Sequence, residues 1–223
     1  MKFIIRKKYR LIYADPPWPY SSRESQGHKR INDIPTKQVS IITKYNVLSI
    51  RDIASLDIPS ITANDAILAM WTTDAFLEYA LLIMKAWGFT YKTVAFWWHK
   101  LTINGKTRTN MGQYTLKCGE FCLLGTRGQP KHLIKNSSQR QLIEAQNFGH
   151  SQKPIEALNR LRKMVPEGKA LEMFARKPQV GWDVFGNQVE NSIHISSRKN
   201  LNLDFTGMNL CSTENKLPKH LKS

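Results

Sequence analysis

The stretch LIYADPPW, residues Leu11 to Trp18, decides the fold of this chain. Its first four residues form an apolar run of strand length, and the run stops at two prolines, which have no N–H to continue a sheet ladder. The stretch therefore predicts a buried strand that ends in a rigid turn. Because ligand sites in open α/β sheets lie beyond the carboxyl ends of strands, the turn at Asp15 is a candidate functional position.

Downstream of this stretch, apolar runs of strand length alternate with amphipathic segments. Apolar runs of strand length predict strands at residues 66–71, 121–125 and 170–174, and a run rich in β-branched and aromatic residues predicts one at residues 90–98. Apolar residues at helical spacing predict helices over residues 74–87 and 154–165. Ser49 and Asp52 predict the capped start of a further short helix. The alternation predicts an α/β fold with a mostly parallel sheet.

Composition indicates one basic domain. The chain has 223 residues, of which 41% are hydrophobic, enough to bury one sizeable core. Its 33 Lys and Arg residues outnumber its 17 Asp and Glu residues, which gives a formal net charge of +16. A field of this sign attracts polyanions, so nucleic acid is the leading partner; charge that serves only solubility is the alternative.

Cysteine usage and hydropathy argue against several classes of protein. Three cysteines and the lack of an N-terminal signal pattern argue against a secreted disulfide framework. Cys118 and Cys122 have no second Cys/His pair at zinc spacing, so no metal is expected. No apolar run approaches the roughly 18 to 20 residues that cross a bilayer. The sequence predicts a cytoplasmic protein that does not bind membranes.

Three segments stand apart in or after the main domain, which is predicted to span residues 1–195. Residues 19–45 are polar and basic without sustained periodicity, which is typical of a lid loop. Residues 100–140 hold eight Lys or Arg residues and one acidic residue, Glu120, and predict a basic insertion, with a solvated face as the alternative. Residues 196–223 are polar and predict an extension or a disordered segment.

The four residues from Asp15 to Trp18 suit the methylation of an amino group such as the 6-amino group of adenine. That nitrogen is a poor nucleophile because its lone pair is delocalised into the ring. The Asp15 carboxylate and the Pro16 carbonyl, whose direction Pro17 helps to fix, can accept its two N–H groups and favour the nucleophilic form. Trp18 offers a ring on which an extruded base can stack. A purely structural turn is the alternative interpretation.

With this motif, the chain from about Leu11 to about Ile195 resembles the adenine N(6)-methyltransferase family. That family includes the catalytic subunit of the eukaryotic messenger-RNA adenosine methylation complex and bacterial and phage relatives. The resemblance rests on short motifs in the family's order: AMWT at 69–72, WGF at 87–89, WWHK at 97–100, EFCLLGTRG at 120–128, SQKPIE at 151–156, LEMFAR at 171–176 and GWDVFGNQ at 181–188. Each motif is weak alone, but their shared order and spacing argue strongly against chance agreement.

The resemblance implies a Rossmann-like fold of S-adenosylmethionine-dependent methyltransferases. The catalytic strand comes first, which is a circularly permuted order of motifs. By similarity, the residues that contact S-adenosylmethionine are Asp15, Pro16, Lys153, Glu172, Phe174, Arg176, Asn187 and Gln188. No Gly-x-Gly-x-x-Gly fingerprint is present, so this cofactor follows from the resemblance alone.

Two of the implied cofactor contacts also agree with elementary physical chemistry. Lys153 precedes Pro154 at a predicted helix N-terminus, where positive charge and free N–H groups suit the cofactor carboxylate. Glu172 at a strand end is the kind of acidic residue that binds a ribose diol. A surface lysine and a salt-bridge partner are the respective alternatives. Beside Arg176, residues 177–179 depart from the family pattern.

The resemblance favours DNA as the expected substrate, because small free-standing members of this family look like bacterial or phage modification enzymes. The residues predicted to bind the substrate are Trp18, Tyr45, Lys100, Lys131 and Lys135. Two alternatives stay open: the same reaction on RNA, and a non-catalytic nucleic-acid-binding subunit, against which the intact Asp-Pro-Pro-Trp motif argues. Both a homodimer and a heterodimer are compatible with the sequence.

Overall fold

The computed structural model describes residues 8–19, 48–112, 114–147 and 152–199, together with Leu201 and Leu203. Nearly all of the predicted lid, including Tyr45, and the tail from residue 204 lie outside the described residues. Along the described chain, no helix combines the length and the apolar content that crossing a bilayer requires.

The described residues form nine strands, four α-helices and two 3-10 turns. The strands are β1 (Tyr9–Ala14), β2 (Thr62–Thr72), β3 (Thr90–Leu101), β4 (Asn110–Met111), β5 (Leu116–Lys117), β6 (Gly119–Arg127), β7 (Leu142–Gln146), β8 (Ala170–Met173) and β9 (Asp183–Phe185). The helices are α1 (Ile50–Ser55), α2 (Ile58–Ile61), α3 (Leu77–Ala86) and α4 (Ile155–Met164). The 3-10 turns are Asp74–Phe76 and Pro130–Leu133. Every predicted strand and helix has a counterpart, while β4, β5, β7 and β9 were not predicted.

Seven strands form one sheet in the order β7-β3-β6-β2-β1-β8-β9. Neighbouring strands are parallel except at β6, which runs antiparallel to both β2 and β3. The other six strands therefore share one direction, and the prediction of an α/β fold with a mostly parallel sheet is confirmed. β4 and β5 form a separate antiparallel pair.

β1 lies inside the sheet, between β2 and β8, and is buried on both faces. Leu11 belongs to the core cluster that α4 covers, and Ile12 belongs to the cluster on the opposite face, with residues of α1 and α3. Burial on both faces explains why residues 11–14 are continuously apolar, which is typical of strands in parallel sheets.

The carboxyl ends of the parallel strands determine where the candidate site lies. Ala14 pairs with Met70 of β2 and with Met173 of β8, so these three strands end close together. Asp15 follows Ala14 at this edge. Because β6 runs in the opposite direction, it begins at the same edge, and its second residue is Glu120.

Helices pack on both faces of the sheet. α3 buries Ile83 on one face, and α4 buries Leu158 and Leu161 on the other. α1 begins at the predicted capping box, where the Ser49 hydroxyl accepts a hydrogen bond of 3.1 Å from the backbone N–H of Asp52. The cap satisfies a backbone donor that has no partner within the helix.

The structure corrects the prediction that residues 100–140 form one basic insertion. This range contains β6, a strand of the main sheet in which Cys122 and Leu123 are buried. The cations lie in the segments on either side, whereas residues 121–126 carry no charge. The strand predicted at residues 121–125 therefore belongs to the main sheet and separates two basic segments.

The structure also corrects the domain boundary after residue 195. Ser197 forms a β-bridge with Leu56, and the Arg198 guanidinium donates hydrogen bonds of 2.9 Å to the Ala54 carbonyl and 2.8 Å to the Ala86 carbonyl. Arg198 thus connects the ends of α1 and α3, and Leu201 and Leu203 pack against the core cluster on the same face of the sheet. Polar residues after residue 195 can bond to helix ends or face solvent, and the sequence pattern is the same in both cases.

Candidate active site

Asp15 follows β1 at the carboxyl edge of the sheet and is paired with Lys153. The Nζ atom of Lys153 lies 2.8 Å from Oδ1 and 3.0 Å from Oδ2 of Asp15. Lys153 directly precedes Pro154, the N-cap of α4. The two charged residues are 138 positions apart in the sequence, and they meet because β1 and the start of α4 share this edge.

Glu120 extends the pair into a row of alternating charges. Its Oε2 lies 3.2 Å from Lys153 Nζ, and its Oε1 accepts a hydrogen bond from Lys100 Nζ. The side chain of Asp15 is 25% exposed, whereas the other three are at most 10% exposed. The two carboxylates and the two ammonium groups thus neutralise each other, which allows all four charges to be largely buried. A single unpaired charge in the same place would be strongly destabilising.

Aromatic rings line this row of charges. Lys100 Nζ lies 4.9 Å from the centre of the Trp98 ring, and Lys153 Nζ lies 5.8 Å from that of Trp71. The Trp71 indole N–H donates a hydrogen bond of 2.7 Å to the Tyr13 hydroxyl. These rings keep water from the charges, so each electrostatic interaction is stronger than it would be in solvent.

Burial and pairing act in opposite directions on the pKa values in this row. Burial raises the pKa of Asp15, and the adjacent Lys153 only partly opposes that rise. Burial would also raise the pKa of Glu120, but Lys153 and Lys100 together hold it below its usual range. Burial alone would lower the pKa of Lys153, yet its two carboxylate neighbours raise it. Glu120 and Lys153 are therefore held in their charged forms.

Trp18 is packed into the protein and is only 7% exposed. Its ring stacks on Phe76 with centroids 5.4 Å apart and an interplanar angle of 14°. Its indole N–H donates a hydrogen bond of 3.2 Å to the Trp71 carbonyl, and its backbone N–H donates one of 2.9 Å to the Pro16 carbonyl. The open ring face expected of Trp18 is absent, because Phe76 and β2 already occupy its surroundings; Trp18 instead fixes the turn that carries Asp15.

A pocket opens beside Asp15 at the ends of β1 and β8. Its lining residues are Tyr13, Asp15, Gln152, Lys153, Ile155, Leu158, Glu172, Phe174, Arg176, Lys177 and Gln179. Glu172 Oε2 is buried and has no hydrogen-bond partner within the described structure. Burial, followed by the charge of Asp15, raises the pKa of Glu172 to about 7. The pocket thus offers an acceptor that a hydroxyl ligand could satisfy.

Backbone geometry at the pocket is unusual at two positions. Phe174 has a φ angle of 63°, in the left-handed region that bulky residues rarely adopt. A Cβ on Gly186 would lie 2.1 Å from the Ala175 carbonyl oxygen, so only glycine fits there. Asn187 and Gln188 follow Gly186, are exposed, and are not among the residues that line the pocket.

The sequence pattern of the MT-A70 family matches residues 9–188, nearly the whole of the described fold. This chain belongs to the MT-A70 family. The family resemblance predicted from Asp-Pro-Pro-Trp and its accompanying motifs is thereby confirmed.

Individual relatives of this MT-A70 protein are named as methyltransferases. The chain is 39% identical over 204 residues to the type II methyltransferase M.MunI of Mycoplasma sp, which covers 86% of this chain and 83% of that protein. It is 26% identical to the human N(6)-adenine-specific methyltransferase METTL4, over 85% of this chain and 39% of that protein. Identity to the human N(6)-adenosine-methyltransferase catalytic subunit METTL3 is 24%, over 84% of this chain and 29% of that protein. The chain is a methyltransferase.

The pocket of this MT-A70 protein fits S-adenosylmethionine, the methyl donor that the family implies. The unpartnered Glu172 oxygen suits the hydroxyl groups of a ribose, which donate hydrogen bonds. The Lys153 ammonium and the exposed Arg176 provide positive charge at the same pocket for a carboxylate. The donor and acceptor types present therefore match the two polar ends of the donor molecule.

The structure does not bring the other predicted substrate residues to the positions expected of them. Lys100 is buried in the ion pair with Glu120, so it is not a surface contact for phosphate. Lys135 Nζ lies 3.9 Å from Glu167, beyond the C-terminal end of α4, and Lys131 follows the last residues of β6. Both lie at the amino edge, separated from Asp15 by the length of β6, roughly 25 Å. Tyr45 lies outside the described residues.

Glu120 is the site residue that sequence reasoning missed. In the sequence it stands out only as a motif position and as the single acidic residue beside the eight cations of residues 100–140. That isolation was a usable signal, because one carboxylate in a strongly basic segment that precedes an apolar strand is a natural partner for buried lysines. Its position next to Lys153 depends on the antiparallel direction of β6, which no local pattern indicates.

Proposed function

We propose that this protein transfers the methyl group of S-adenosylmethionine to the 6-amino group of adenine in DNA. The observation that carries this proposal is the placement of Asp15, which follows the carboxyl end of β1, contacts Lys153 and lines the pocket. A carboxylate in this position can accept an N–H of the amino group, which makes its nitrogen a better nucleophile.

For cofactor binding, we assign the ribose to Glu172 and the methionine carboxylate to Lys153 and Arg176. Phe174 and Asp15 line the same pocket, and Pro16 directly follows Asp15 in the chain. Asn187 and Gln188 stay predicted contacts for the adenine end, since they follow β9 at the same edge of the sheet. When bound, S-adenosylmethionine supplies an activated methyl group on a sulfonium sulfur.

The charged row allows Asp15 to release Lys153 and accept the adenine amino group without leaving the buried Lys153 ammonium unpaired. Both oxygens of Asp15 contact Lys153, so an incoming amino group must compete with this ammonium. Glu120 lies 3.2 Å from the same ammonium and keeps it paired when Asp15 accepts the adenine N–H. The Pro16 carbonyl already accepts the Trp18 N–H and has a second lone pair for the other amino hydrogen.

Two observations support the choice of adenine in DNA. Several matched proteins are named for N(6)-adenine or N(6)-adenosine methylation. The relatives named for adenosine or RNA are 24% to 29% identical to this chain, which spans at most 49% of their length. The type II methyltransferase has a higher sequence identity, 39%, and this chain spans 83% of its length. We infer a bacterial or phage modification enzyme that acts in the cytoplasm. Formation of a homodimer or heterodimer stays a prediction.

The proposal is tested by incubating the purified chain with labelled S-adenosylmethionine and matched DNA and RNA, each single- and double-stranded. Mass spectrometry then identifies the methylated nucleoside. The expected result is N6-methyladenosine in its deoxy form from DNA, with no product from an Asp15→Ala protein prepared in parallel. Methylcytosine, product only from RNA, or transfer only after a second protein is added would each overturn the proposal.

A further inference from the structure

The segment that connects β3 to β6 is a two-stranded ribbon at the carboxyl edge of the sheet. We call residues 102–118 the β4–β5 ribbon. Asn110 pairs with Lys117 and Met111 pairs with Leu116, and Gly112, Tyr114 and Thr115 lie in the turn between the two strands at its tip. A Cβ on Gly112 would lie 2.3 Å from the Thr115 carbonyl oxygen, so the turn requires glycine.

The base of the ribbon is anchored next to the charged row. The Lys100 N–H donates a hydrogen bond of 2.8 Å to the Cys118 carbonyl, and the Arg108 N–H donates one of 2.8 Å to the Lys100 carbonyl. His99 Nε2 lies 3.0 Å from the Thr107 hydroxyl. Because Lys100 also binds Glu120, the ribbon and the site share one support.

A second anchor ties the ribbon to the side of the site that carries Asp-Pro-Pro-Trp. Lys117 Nζ lies 3.1 Å from Asp74 Oδ1. Asp74 begins the 3-10 turn that ends at Phe76, the residue on which Trp18 stacks. The ribbon is thus connected both to the Glu120 end of the charged row and to the turn after β2.

The outward face of the ribbon is apolar. Since side chains alternate along a strand, the inward direction of Lys117 places Leu116 and its partner Met111 on the other face. Met111 is 72% exposed, Leu116 is 60% exposed, and Tyr114 at the tip is 90% exposed. Large apolar side chains that project together into solvent mark a contact surface.

The charge of the ribbon selects nucleic acid as the occupant of this surface. Between Leu101 and Gly119 the sequence has three cations, Lys106, Arg108 and Lys117, and no acidic residue. Lys117 is paired with Asp74, so the exposed Lys106 and Arg108 carry the charge that faces solvent. Phosphates complement that charge. A second copy of the same ribbon would instead bring like charges together, which opposes association.

We propose that the β4–β5 ribbon enters duplex DNA at the target adenine and that Tyr114 stacks in the space the adenine leaves. This inference rests on the proposed function. Asp15 lies in a largely buried row, so the amino group of a paired adenine reaches it only when the base leaves the helix. An inserted apolar or aromatic side chain replaces the lost stacking and keeps the duplex open.

The test uses the full chain and a duplex oligonucleotide that carries the sequence mapped from methylated plasmid DNA. A second duplex has an abasic site opposite the target adenine, which lowers the cost of extruding that base. With the paired duplex, Tyr114→Ala is expected to lower kcat/KM by about 10- to 100-fold, the range that stacking on one base gives. With the abasic duplex, the loss is expected to fall below about threefold, because extrusion no longer depends on the inserted ring.

Two matched variants control for general effects. Tyr114→Phe keeps the ring and is expected to keep activity on both duplexes. Tyr91→Ala removes another partly exposed tyrosine, near the amino-terminal end of β3, and is expected to leave both activities unchanged. Fluorescence of 2-aminopurine at the target position should rise with the wild-type protein and remain low with Tyr114→Ala.

Equal loss on both duplexes, or no loss on either, would overturn the role of Tyr114 in base extrusion. A second outcome would also overturn this role. If the wild-type protein sediments as a dimer without DNA, and Tyr114→Ala loses the dimer but still extrudes the target adenine, the surface binds a second copy of the chain instead of DNA. If the wild-type protein methylates adenine in no DNA substrate, the proposed function itself fails, which is a separate result.

Discussion

At the scale of single residues, Asp15 is the position on which the proposed chemistry depends. Asp15→Asn keeps the size of the side chain but removes a charge that Lys153 contacts at 2.8 Å and that the amino group needs as an acceptor. We expect kcat to fall by about 100- to 1000-fold, comparable to the loss of one preorganised group in other active sites. Measurement of initial rates with labelled methyl donor checks this.

Binding of S-adenosylmethionine by Asp15→Asn, followed by calorimetry, separates catalysis from folding. The expected Kd is within about tenfold of the wild-type value, since Glu172 and Arg176 still line the pocket. Unchanged turnover would remove the carboxylate from the mechanism.

Glu120 is expected to matter for stability because it is the shared partner of two buried lysines. Glu120→Gln leaves Lys100 without its buried counter-charge and Lys153 with only Asp15. Breaking a buried ion pair from one side costs about 3 kcal/mol or more. Urea unfolding curves measure this as a lower free energy of unfolding.

The matched control for Glu120 is Glu167, whose 3.9 Å pair with Lys135 is exposed. Glu167→Gln is expected to change the free energy of unfolding by less than about 0.5 kcal/mol. Equal effects of the two glutamine substitutions would show that the charged row adds no stability beyond a surface pair.

Glu172 predicts a distinct pH dependence, because its pKa is raised to about 7 in the folded protein. The unfolded value is about 4.3, so between these two pH values the folded state binds more protons than the unfolded state. The contribution of Glu172 therefore stabilises the fold below about pH 4.3 and is lost as pH rises through about 7.

Glu172→Gln should remove this dependence. The variant is expected to gain stability relative to wild type on going from pH 5 to pH 8, as measured by the difference in free energy of unfolding at each pH. It should also bind S-adenosylmethionine more weakly, since a charged acceptor for the ribose is lost. A constant stability difference across this pH range would contradict the raised pKa.

At the scale of elements, the close approach between β9 and the end of β8 is a strict requirement for the pocket. In Gly186→Ala, the new methyl group would lie 2.1 Å from the carbonyl oxygen and 2.8 Å from the nitrogen of Ala175, both backbone atoms. The strands must separate, and we expect a loss of about 1 to 3 kcal/mol in thermal or urea unfolding.

Asn187→Ala serves as the neighbouring control for Gly186→Ala. Asn187 is exposed, so its substitution should leave the free energy of unfolding nearly unchanged. Because Asn187 is a predicted contact of S-adenosylmethionine, the substitution should weaken binding of that cofactor. Loss of stability in both variants would instead make the whole turn structural.

At the scale of the whole molecule, the distribution of charge predicts which cations contact DNA. Lys106→Ala together with Arg108→Ala should reduce the slope of log Kd against log salt concentration by about 0.9 for each phosphate contact removed. Lys131→Ala with Lys135→Ala should leave the slope unchanged, because these residues lie at the opposite edge of the sheet. Fluorescence anisotropy with labelled duplex DNA measures both slopes.

The reverse result for the two double variants would move the DNA to the amino edge. If the slope is reduced for Lys131→Ala with Lys135→Ala and unchanged for Lys106→Ala with Arg108→Ala, both the placement of the site and the role of the β4–β5 ribbon are contradicted.

Local sequence patterns were sufficient for the elements that are continuous in the chain. Residues 11–14 and 66–71 were recognisable as strands because burial on both faces makes them apolar throughout, and residues 170–174 were recognisable because only Glu172 interrupts their apolar run. β7 and β9 were missed because they lie at the two edges of the sheet, where exposure on one side admits polar residues. The β4–β5 ribbon was missed because its apolar face points to solvent and resembles a loop in composition.

The sequence by itself determined the buried strand that ends at Asp15, the rigid turn after it and the family to which the chain belongs. These follow from strand length, proline geometry and the order of short motifs, which are local or additive along the chain. Only the tertiary structure decided which charges act together. Because β6 is antiparallel, its first residues bring Glu120 to Asp15 and Lys153, while its last residues carry Lys131 to the opposite edge.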